Sequence, residues 1–162
     1  MERGILNIKY ARLKKTHIKD SKMTLYGFIL MQKGLSLQFF AEDQAVQKEW
    51  IEALKSSCIL LDVKEEFEIG SLLGRGNFAM VHECTRRGDP EQKKYALKTM
   101  EKKAIKNCKR NMQSALQEID IMRALDHPYV IRLYEVYESN KYIHLVLSHL
   151  DGGMLFDRIS SK

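Results

Sequence analysis

Proline is scarce in this chain, with two residues among 162, and no stretch of biased composition occurs. Since long disordered regions are usually rich in proline or compositionally biased, a mainly disordered chain is not expected. No apolar run approaches the ~20 residues that a membrane-spanning helix needs. Residues 1–4 have neither the apolar core of a secretory signal nor the Met-Gly start required for myristoylation. We therefore expect a soluble protein.

Cysteine is also rare, and its positions carry no recognisable pairing pattern. Cys58, Cys84 and Cys108 are far apart and odd in number, and none forms a Cys-x-x-Cys pair. Their spacing relative to the five histidines does not match a zinc site. Because such cysteines are typical of reduced thiols, we expect a cytoplasmic location.

A large excess of one charge is missing too. The chain has 27 basic and 21 acidic residues, a net charge of +6. Residues 1–62 hold 10 basic and 7 acidic residues, and residues 63–162 hold the other 17 and 14, so each part is +3. Without a nucleic-acid motif, this modest excess favours ordinary solvated surface charge over nucleic-acid binding.

The first third of the chain predicts short strands followed by one helix. Candidate strands cover 4–8, 10–13, 25–30 and 35–39, with a polar loop or strand edge at 14–22 and a turn at 32–34. From Asp43 onward the apolar period lengthens to about four residues, which predicts an amphipathic helix. Its predicted apolar face consists of Val46, Trp50, Leu54 and Ser57/Cys58, and either Glu42 or Asp43 could cap its start.

This pattern resembles the end of a pleckstrin-homology domain. The resemblance rests on residues 27–29, 37–42 and 49–54. It implies a partial domain over residues 1–62, in which Trp50 points inward and plugs one end of a bent sheet. A generic module of strands and a helix is the alternative.

The complete domain would bind a phosphoinositide membrane as a peripheral protein. Its first strands and lipid-binding basic loop would lie before Met1. The cluster Lys14, Lys15, Lys19 and Lys22 reaches the size typical of acidic-membrane contact. With those strands absent from the 162 residues, we favour a solvated loop.

A glycine-rich turn, Gly-Arg-Gly-Asn-Phe-Ala-Met-Val at 74–81, joins two strand-like runs. Gly74 and Gly76 can adopt backbone angles closed to other residues and let amides approach phosphate oxygens. A dinucleotide-binding turn would open into a helix, whereas this one opens into a strand and a polar turn at 87–91. The Gly-Lys-Ser/Thr of a Walker loop is absent. These features favour a hairpin lid over phosphates.

Lys98 lies on the next predicted strand, 94–100, where it shares a face with Ala96. A small residue beside a lysine suits a flat adenine against the strand and an ammonium at the phosphates. A solvent-facing lysine is the ordinary alternative. Glu118, twenty residues later, lies beside the apolar face of a predicted helix over 112–125, where its carboxylate could fix the position of Lys98.

Beyond this helix, His127-Pro128 is followed by two β-rich runs, 130–137 and 142–147, and by Gly-Gly-x-Leu-Phe-Asp-Arg-Ile at 152–159. From residue 67 to 159 the order resembles the small lobe of eukaryotic protein kinases. The last segment resembles the calcium/calmodulin-dependent type of Ser/Thr kinase. The expected fold class is α+β: a partial antiparallel β meander with a C-terminal helix over 1–62, then a kinase-type small lobe and hinge over 63–162, with a five-stranded antiparallel sheet and one main helix.

The resemblance implies roles for individual residues. The amides of 74–79 would cover the β- and γ-phosphates, while Lys98 would contact the α- and β-phosphates and pair with Glu118. Val81 and Ala96 would wall the adenine pocket, Leu147 would be the gatekeeper, and the backbone of 148–150 would bond the adenine edge. Met122 and Leu133 would join an apolar spine. The implied catalytic residues are Lys98 and Glu118, and the implied ATP-binding residues are Leu73, Gly74, Arg75, Gly76, Asn77, Phe78, Ala79, Val81, Ala96, Lys98, Leu147, Ser148 and Leu150.

Three positions depart from the family pattern. Ala79 replaces the third glycine of the turn, which kinases tolerate. Ser148 and His149 replace the usual acidic and aromatic hinge residues, which changes little because adenine contact there is through the backbone. Met154 stands where many kinases have a Glu near the ribose, so nucleotide affinity is expected to be weakened.

The motifs of the catalytic lobe do not occur in these 162 residues: there is no His-x-Asp with a downstream Asn, no Asp-Phe-Gly and no Ala-Pro-Glu. Phosphoryl transfer needs a group that orients the hydroxyl and carboxylates that hold Mg²⁺. The resemblance thus implies a Ser/Thr kinase that uses ATP and Mg²⁺ on a protein substrate. The missing motifs predict that this stretch alone has no general base, no metal ligands and no activity.

The alternative is a non-catalytic short product that binds lipid or another kinase. Such a product should carry polar residues where the lobe would meet a partner lobe. Met122, Leu133 and Leu147 remain apolar, which favours a piece of a kinase.

Overall fold

A computed structural model describes residues 5–19, 23–76, 79–107, 112–153 and 159–160. No helix of the described residues is long and apolar enough to cross a membrane. The strands are β1 Arg12–Lys19, β2 Thr24–Gln32, β3 Leu35–Ala41, β4 Ile59–Leu60, β5 Phe67–Arg75, β6 Ala79–Arg86, β7 Lys94–Glu101, β8 Leu133–Glu138 and β9 Tyr142–Ser148. The helices are α1 Gln44–Lys55, α2 Val63–Glu66, α3 Lys102–Asn107 and α4 Met112–Ala124.

The nine strands of the described residues belong to one sheet, in the order β3-β2-β1-β4-β8-β9-β7-β6-β5. The five strands from β8 to β5 pair antiparallel, as predicted for a kinase lobe. They do not form a sheet of their own, however, and that part of the prediction is wrong. The short strand β4 pairs in parallel with both β1 and β8. Without β4, strand β8 would be an edge strand with unpaired backbone groups. Its pairing with β4 partly covers that edge.

The N-terminal strands differ in part from the sequence prediction. The described residues before Arg12 contain no strand, although 4–8 was predicted as one. Of the two alternatives predicted for 14–22, a loop or a strand edge, the strand holds as far as Lys19, because β2 pairs with β1 along its whole length. The turn at 32–34 is confirmed: Lys33 and Gly34 both have positive φ, 48° and 83°, which favours a tight hairpin between β2 and β3.

Helix α1 begins where predicted, but its buried face is displaced by one residue. The Asp43 side chain accepts a hydrogen bond from the Val46 amide at 2.8 Å and caps the helix. Gln47 and Ile51 are buried, whereas Trp50 is 53% exposed and only flanks the Phe28 ring. The predicted inward Trp50 is therefore wrong. Gln47 can be buried because its amide donates to the carbonyls of Thr16 and Gly27.

The sheet has an apolar core on each face. On one face, Leu13, Phe28 and Ile51 pack in the same cluster as Phe67 and Leu97. On the other face, Ile59 joins a cluster with residues of α4, β7, β8 and β9: Ala96, Ala115, Ile119, Val136, Ile143, Leu145 and Leu147. Residues before and after position 63 thus contribute to both cores.

Candidate functional site

The glycine-rich turn closes a hairpin between β5 and β6. Gly74 pairs with Val81 and Arg75 with Met80, while the Gly76 amide donates to the Ala79 carbonyl at 2.8 Å. Leu73 and Arg75 are exposed beside the turn. Asn77 and Phe78, two of the implied ATP-binding residues, lie outside the described residues.

The backbone angles at Gly74 and Gly76 do not require glycine. Neither Gly74 nor Gly76 is among the positive-φ glycines, contrary to the role predicted for them. Among the described residues, a Cβ on Gly74 would meet no atom within 4 Å, and one on Gly76 would meet only the Ala79 carbonyl at 3.7 Å. The described residues thus leave room for another molecule to approach the backbone of the turn closely.

The strand register aligns the predicted nucleotide-facing residues. Val81 is directly opposite Lys98 on β7, and Lys98 is opposite Leu145 on β9. Ala96 is opposite Leu147. Tyr95 and Leu97 pack on the other face of the sheet, so the predicted alternation along β7 is confirmed. Ala96, Leu147 and Val81 line one apolar surface next to the Lys98 ammonium.

Lys98 and Glu118 meet across this surface. The Lys98 Nζ donates to Glu118 Oε1 at 3.3 Å, and both side chains are partly buried. Glu118 reaches Lys98 because Ala115 and Ile119 of α4 pack against the sheet. The structure thus brings together the two groups that the sequence placed twenty residues apart. An ammonium held by a carboxylate and not fully buried remains available to a second anion.

The segment after β9 has one constrained and one exposed end. The Ser148 amide donates to the Arg132 carbonyl at 3.0 Å, and the Arg132 amide donates to Ser148 Oγ at 3.1 Å. These bonds tie the end of β9 to the residues before β8. Leu150 is largely exposed. Because its amide is already used, Ser148 could offer an adenine edge only its carbonyl oxygen. Met154, which stands where many kinases have a Glu near the ribose, lies outside the described residues.

Glu83 belongs to the rim of the site but was not predicted. It lies two residues after Val81 on β6 and therefore shares its face. Its carboxylate pairs with Lys94 at 2.9 Å and lies 3.5 Å from His149 Nε2, which makes no hydrogen bond to the described residues. The period-two alternation from Val81 was the signal that could have identified Glu83.

Cys84, the next residue, faces away from the site. It is buried in the opposite core, and burial raises the pKa of its thiol to about 11. A thiol with so high a pKa is a poor nucleophile at neutral pH. Within the described ranges no group of three or more His, Cys, Asp or Glu could hold a metal ion.

Comparison with known proteins finds one family and several relatives that match the part of the chain containing this site. The family described as protein kinase domain matches residues 67–162. Serine/threonine-protein kinase DCLK3 of Mus musculus is 39% identical over 101 residues, which is 62% of this chain and 12% of that protein. Calcium-dependent protein kinase 20 of Oryza sativa is 36% identical over 102 residues, or 62% of this chain and 18% of that protein.

A third relative, a probable myosin light chain kinase of Dictyostelium discoideum, is 41% identical over 95 residues, or 58% of this chain and 28% of that protein. The chain thus spans between 12% and 28% of the length of these three relatives.

Proposed function

Because this chain belongs to the protein kinase domain family, we propose that residues 67–153 bind ATP as the small lobe of a Ser/Thr protein kinase. The observation that carries the proposal is the Lys98–Glu118 pair at 3.3 Å, next to an apolar surface and a hairpin turn with open space above its glycines. An ammonium that is fixed but accessible can bind phosphate oxygens, and the apolar surface can accept a flat base.

In this proposal each part of the site contacts a different part of ATP. The turn at 74–79 covers the phosphates with backbone amides, and Lys98 binds the α- and β-phosphate oxygens. Val81 and Ala96 lie above the adenine with Leu147 at the back of its pocket. The Ser148 carbonyl and the backbone of Leu150 face the adenine edge. Asn77, Phe78 and Ala79 are proposed to bind ATP as well.

The proposed reaction of the whole protein is transfer of the γ-phosphoryl of ATP to a hydroxyl of a protein substrate. Mg²⁺ would supply charge neutralisation at the phosphates. The Asp-Phe-Gly motif that would hold it and the His-x-Asp motif that would carry the general base do not occur in the 162 residues. We propose that these residues alone hold ATP and do not transfer phosphate.

For residues 1–62 we propose the C-terminal part of a pleckstrin-homology domain. The β2–β3 hairpin and the helix capped by Asp43 support this proposal, and the exposed Trp50 argues against it. A complete domain would provide phosphoinositide binding. Lys14 and Lys15 are exposed and pair with Asp62 and Glu66.

The Lys98→Met variant tests ATP binding. We expect it to weaken ATP binding to the 162-residue chain by about tenfold, because a charge-assisted contact to phosphate is lost. The affinity is measured by isothermal titration. Lys141→Met is the matched control, since Lys141 is an exposed residue in the turn between β8 and β9. Equal affinity in the two variants, or no saturable binding of ATP to the parent chain, would contradict the proposal.

A further inference from the structure

Arg123, near the end of helix α4, binds the other end of the molecule. Its guanidinium donates to the carbonyls of Cys58 at 2.6 Å, Ser57 at 3.3 Å and Lys55 at 3.4 Å. These carbonyls lie at the C-terminus of α1 and just beyond it, where a helix has oxygens without intrahelical partners. A cation is stabilised there by the partial negative charge of the helix end. Arg123 therefore caps α1 from the side of α4.

Two further contacts lie on the same side of α4 as Arg123. Asp120 pairs with Lys9 at 2.8 Å, and the Leu116 carbonyl accepts from the Tyr10 hydroxyl at 3.4 Å. Residues 116, 120 and 123 are spaced by four and three positions, so they form one stripe along the helix. Each residue turns an α-helix by about 100°, so Glu118 is rotated about 200° around the helix axis from Leu116 and faces the opposite side of α4.

The same N-terminal residues also enter the core beneath α4. Ile59 of β4 is buried in the cluster that contains Ala115 and Ile119, and Tyr10 packs against that cluster. Helix α4 is thus held by the sheet on one face and by residues 9–10 and 55–59 on another, while Glu118 extends toward Lys98.

We propose that Arg123 is a positioning residue that fixes α4, and with it Glu118, to the end of α1. Docking of residues 9–10 and 55–59 onto α4 then controls how firmly Lys98 is held for phosphate. The segment before residue 63 acts in this way as an internal regulator of the nucleotide site. The effect on nucleotide binding rests on the function proposed above, whereas the anchoring of α4 does not.

The anchoring is tested by amide hydrogen exchange in the purified 162-residue chain. We expect Arg123→Ala to raise exchange in 112–124 by about tenfold, because loss of hydrogen bonds from a charged group frees the helix to open locally. Exchange in β9 should stay unchanged, which separates local release of α4 from general destabilisation. Arg123→Lys should restore part of the protection, since lysine keeps the charge but lacks the planar fork.

Gln117→Ala is the matched control, because Gln117 is exposed on the same helix. Lys9→Met removes an exposed partner of α4 and should raise exchange in 112–124 by a smaller factor if Arg123→Ala fails to fold. Exchange in 112–124 that rises no more in Arg123→Ala than in Gln117→Ala would overturn the proposal. So would a rise of equal size in β9.

ATP affinity provides the second readout. Arg123→Ala should weaken ATP binding through α4, although Arg123 is not proposed to contact the nucleotide. Gln117→Ala should leave ATP affinity unchanged. Increased exchange in α4 with unchanged ATP affinity would leave the anchoring in place and overturn the regulatory role. Absence of ATP binding in the parent chain would refute the proposed function and, with it, the regulatory role, but the exchange result would still decide the anchoring.

Discussion

Replacing Phe67 by alanine should lower the free energy of unfolding by about 3 to 5 kcal/mol, the loss typical of a large aromatic side chain in a core. Phe67 is fully buried, and its ring is edge-on to Tyr95 and Tyr137 at 5.7 and 6.1 Å between centroids. The Arg86 guanidinium lies 4.6 Å from the ring centre. The cluster around Phe67 contains residues from both halves of the chain. Loss of the Phe67 ring should therefore destabilise both halves.

The measurement is chemical denaturation of Phe67→Ala beside Phe40→Ala. Phe40 is 50% exposed on the outermost strand, so the same atoms are removed from a site that is already half in water. Its loss should cost about 1 kcal/mol or less. Two separate transitions in the Phe67 variant, with only the second one shifted, would contradict a core shared by the two halves.

The second large effect is expected at Glu135, which is 3% exposed. Its carboxylate accepts from Lys55 at 2.9 Å, from Arg86 and from the Tyr137 hydroxyl at 2.8 Å. Replacing it by glutamine should lower the free energy of unfolding by about 2 to 3 kcal/mol. This is less than the 3 to 5 kcal/mol typical of a fully buried broken pair, because Lys55 and Arg86 keep Glu52 and Glu66 as partners.

The cost of Glu135→Gln should depend on pH. Burial by itself would raise the pKa of Glu135, but the charges of Arg86 and Lys55 and their hydrogen bonds outweigh it and hold this pKa below its ordinary 4.5. A carboxylate with a lowered folded-state pKa stabilises the fold above its unfolded-state pKa and loses this contribution as the pH falls through the folded-state value. The difference in free energy of unfolding between wild type and Glu135→Gln should therefore be largest at neutral pH and should shrink below about pH 4.5.

Denaturation across this pH range measures this difference. Glu52→Gln is the control, since Glu52 pairs with the same Lys55 ammonium but is 60% exposed. Its substitution should cost less than about 1 kcal/mol at any pH. A difference for Glu135→Gln that is constant from neutral to acidic pH would show that its charge is not what stabilises the fold.

The parts of the structure that the sequence predicted are the local ones. Three of them depend on neighbours a few residues away: the tight turn at Lys33-Gly34, the Asp43 cap, and the shared face of Ala96 and Lys98 on β7. The Lys98–Glu118 pair was found through a family pattern of fixed spacing, since no local rule connects a strand to a helix twenty residues later.

The parts that the sequence did not predict depend on distant pairing. Strand β4 has two residues and is a strand only because β1 and β8 flank it. Gln47 looks like a surface residue until the carbonyls of Thr16 and Gly27 accept its amide protons. Arg123 is likewise one of 27 basic residues, and only the fold shows that it meets the end of α1.

We propose that Lys98 lies beside the phosphates of bound ATP. An ATP analogue with an acyl group on its terminal phosphate transfers that group to a lysine amine held close to it, and mass spectrometry identifies the acylated lysine. In the 162-residue chain we expect acylation of Lys98 in preference to Lys94, Lys102 and Lys141, and its suppression by excess ATP. Equal acylation of all four, or acylation of Lys98 that excess ATP leaves unchanged, would contradict the claim.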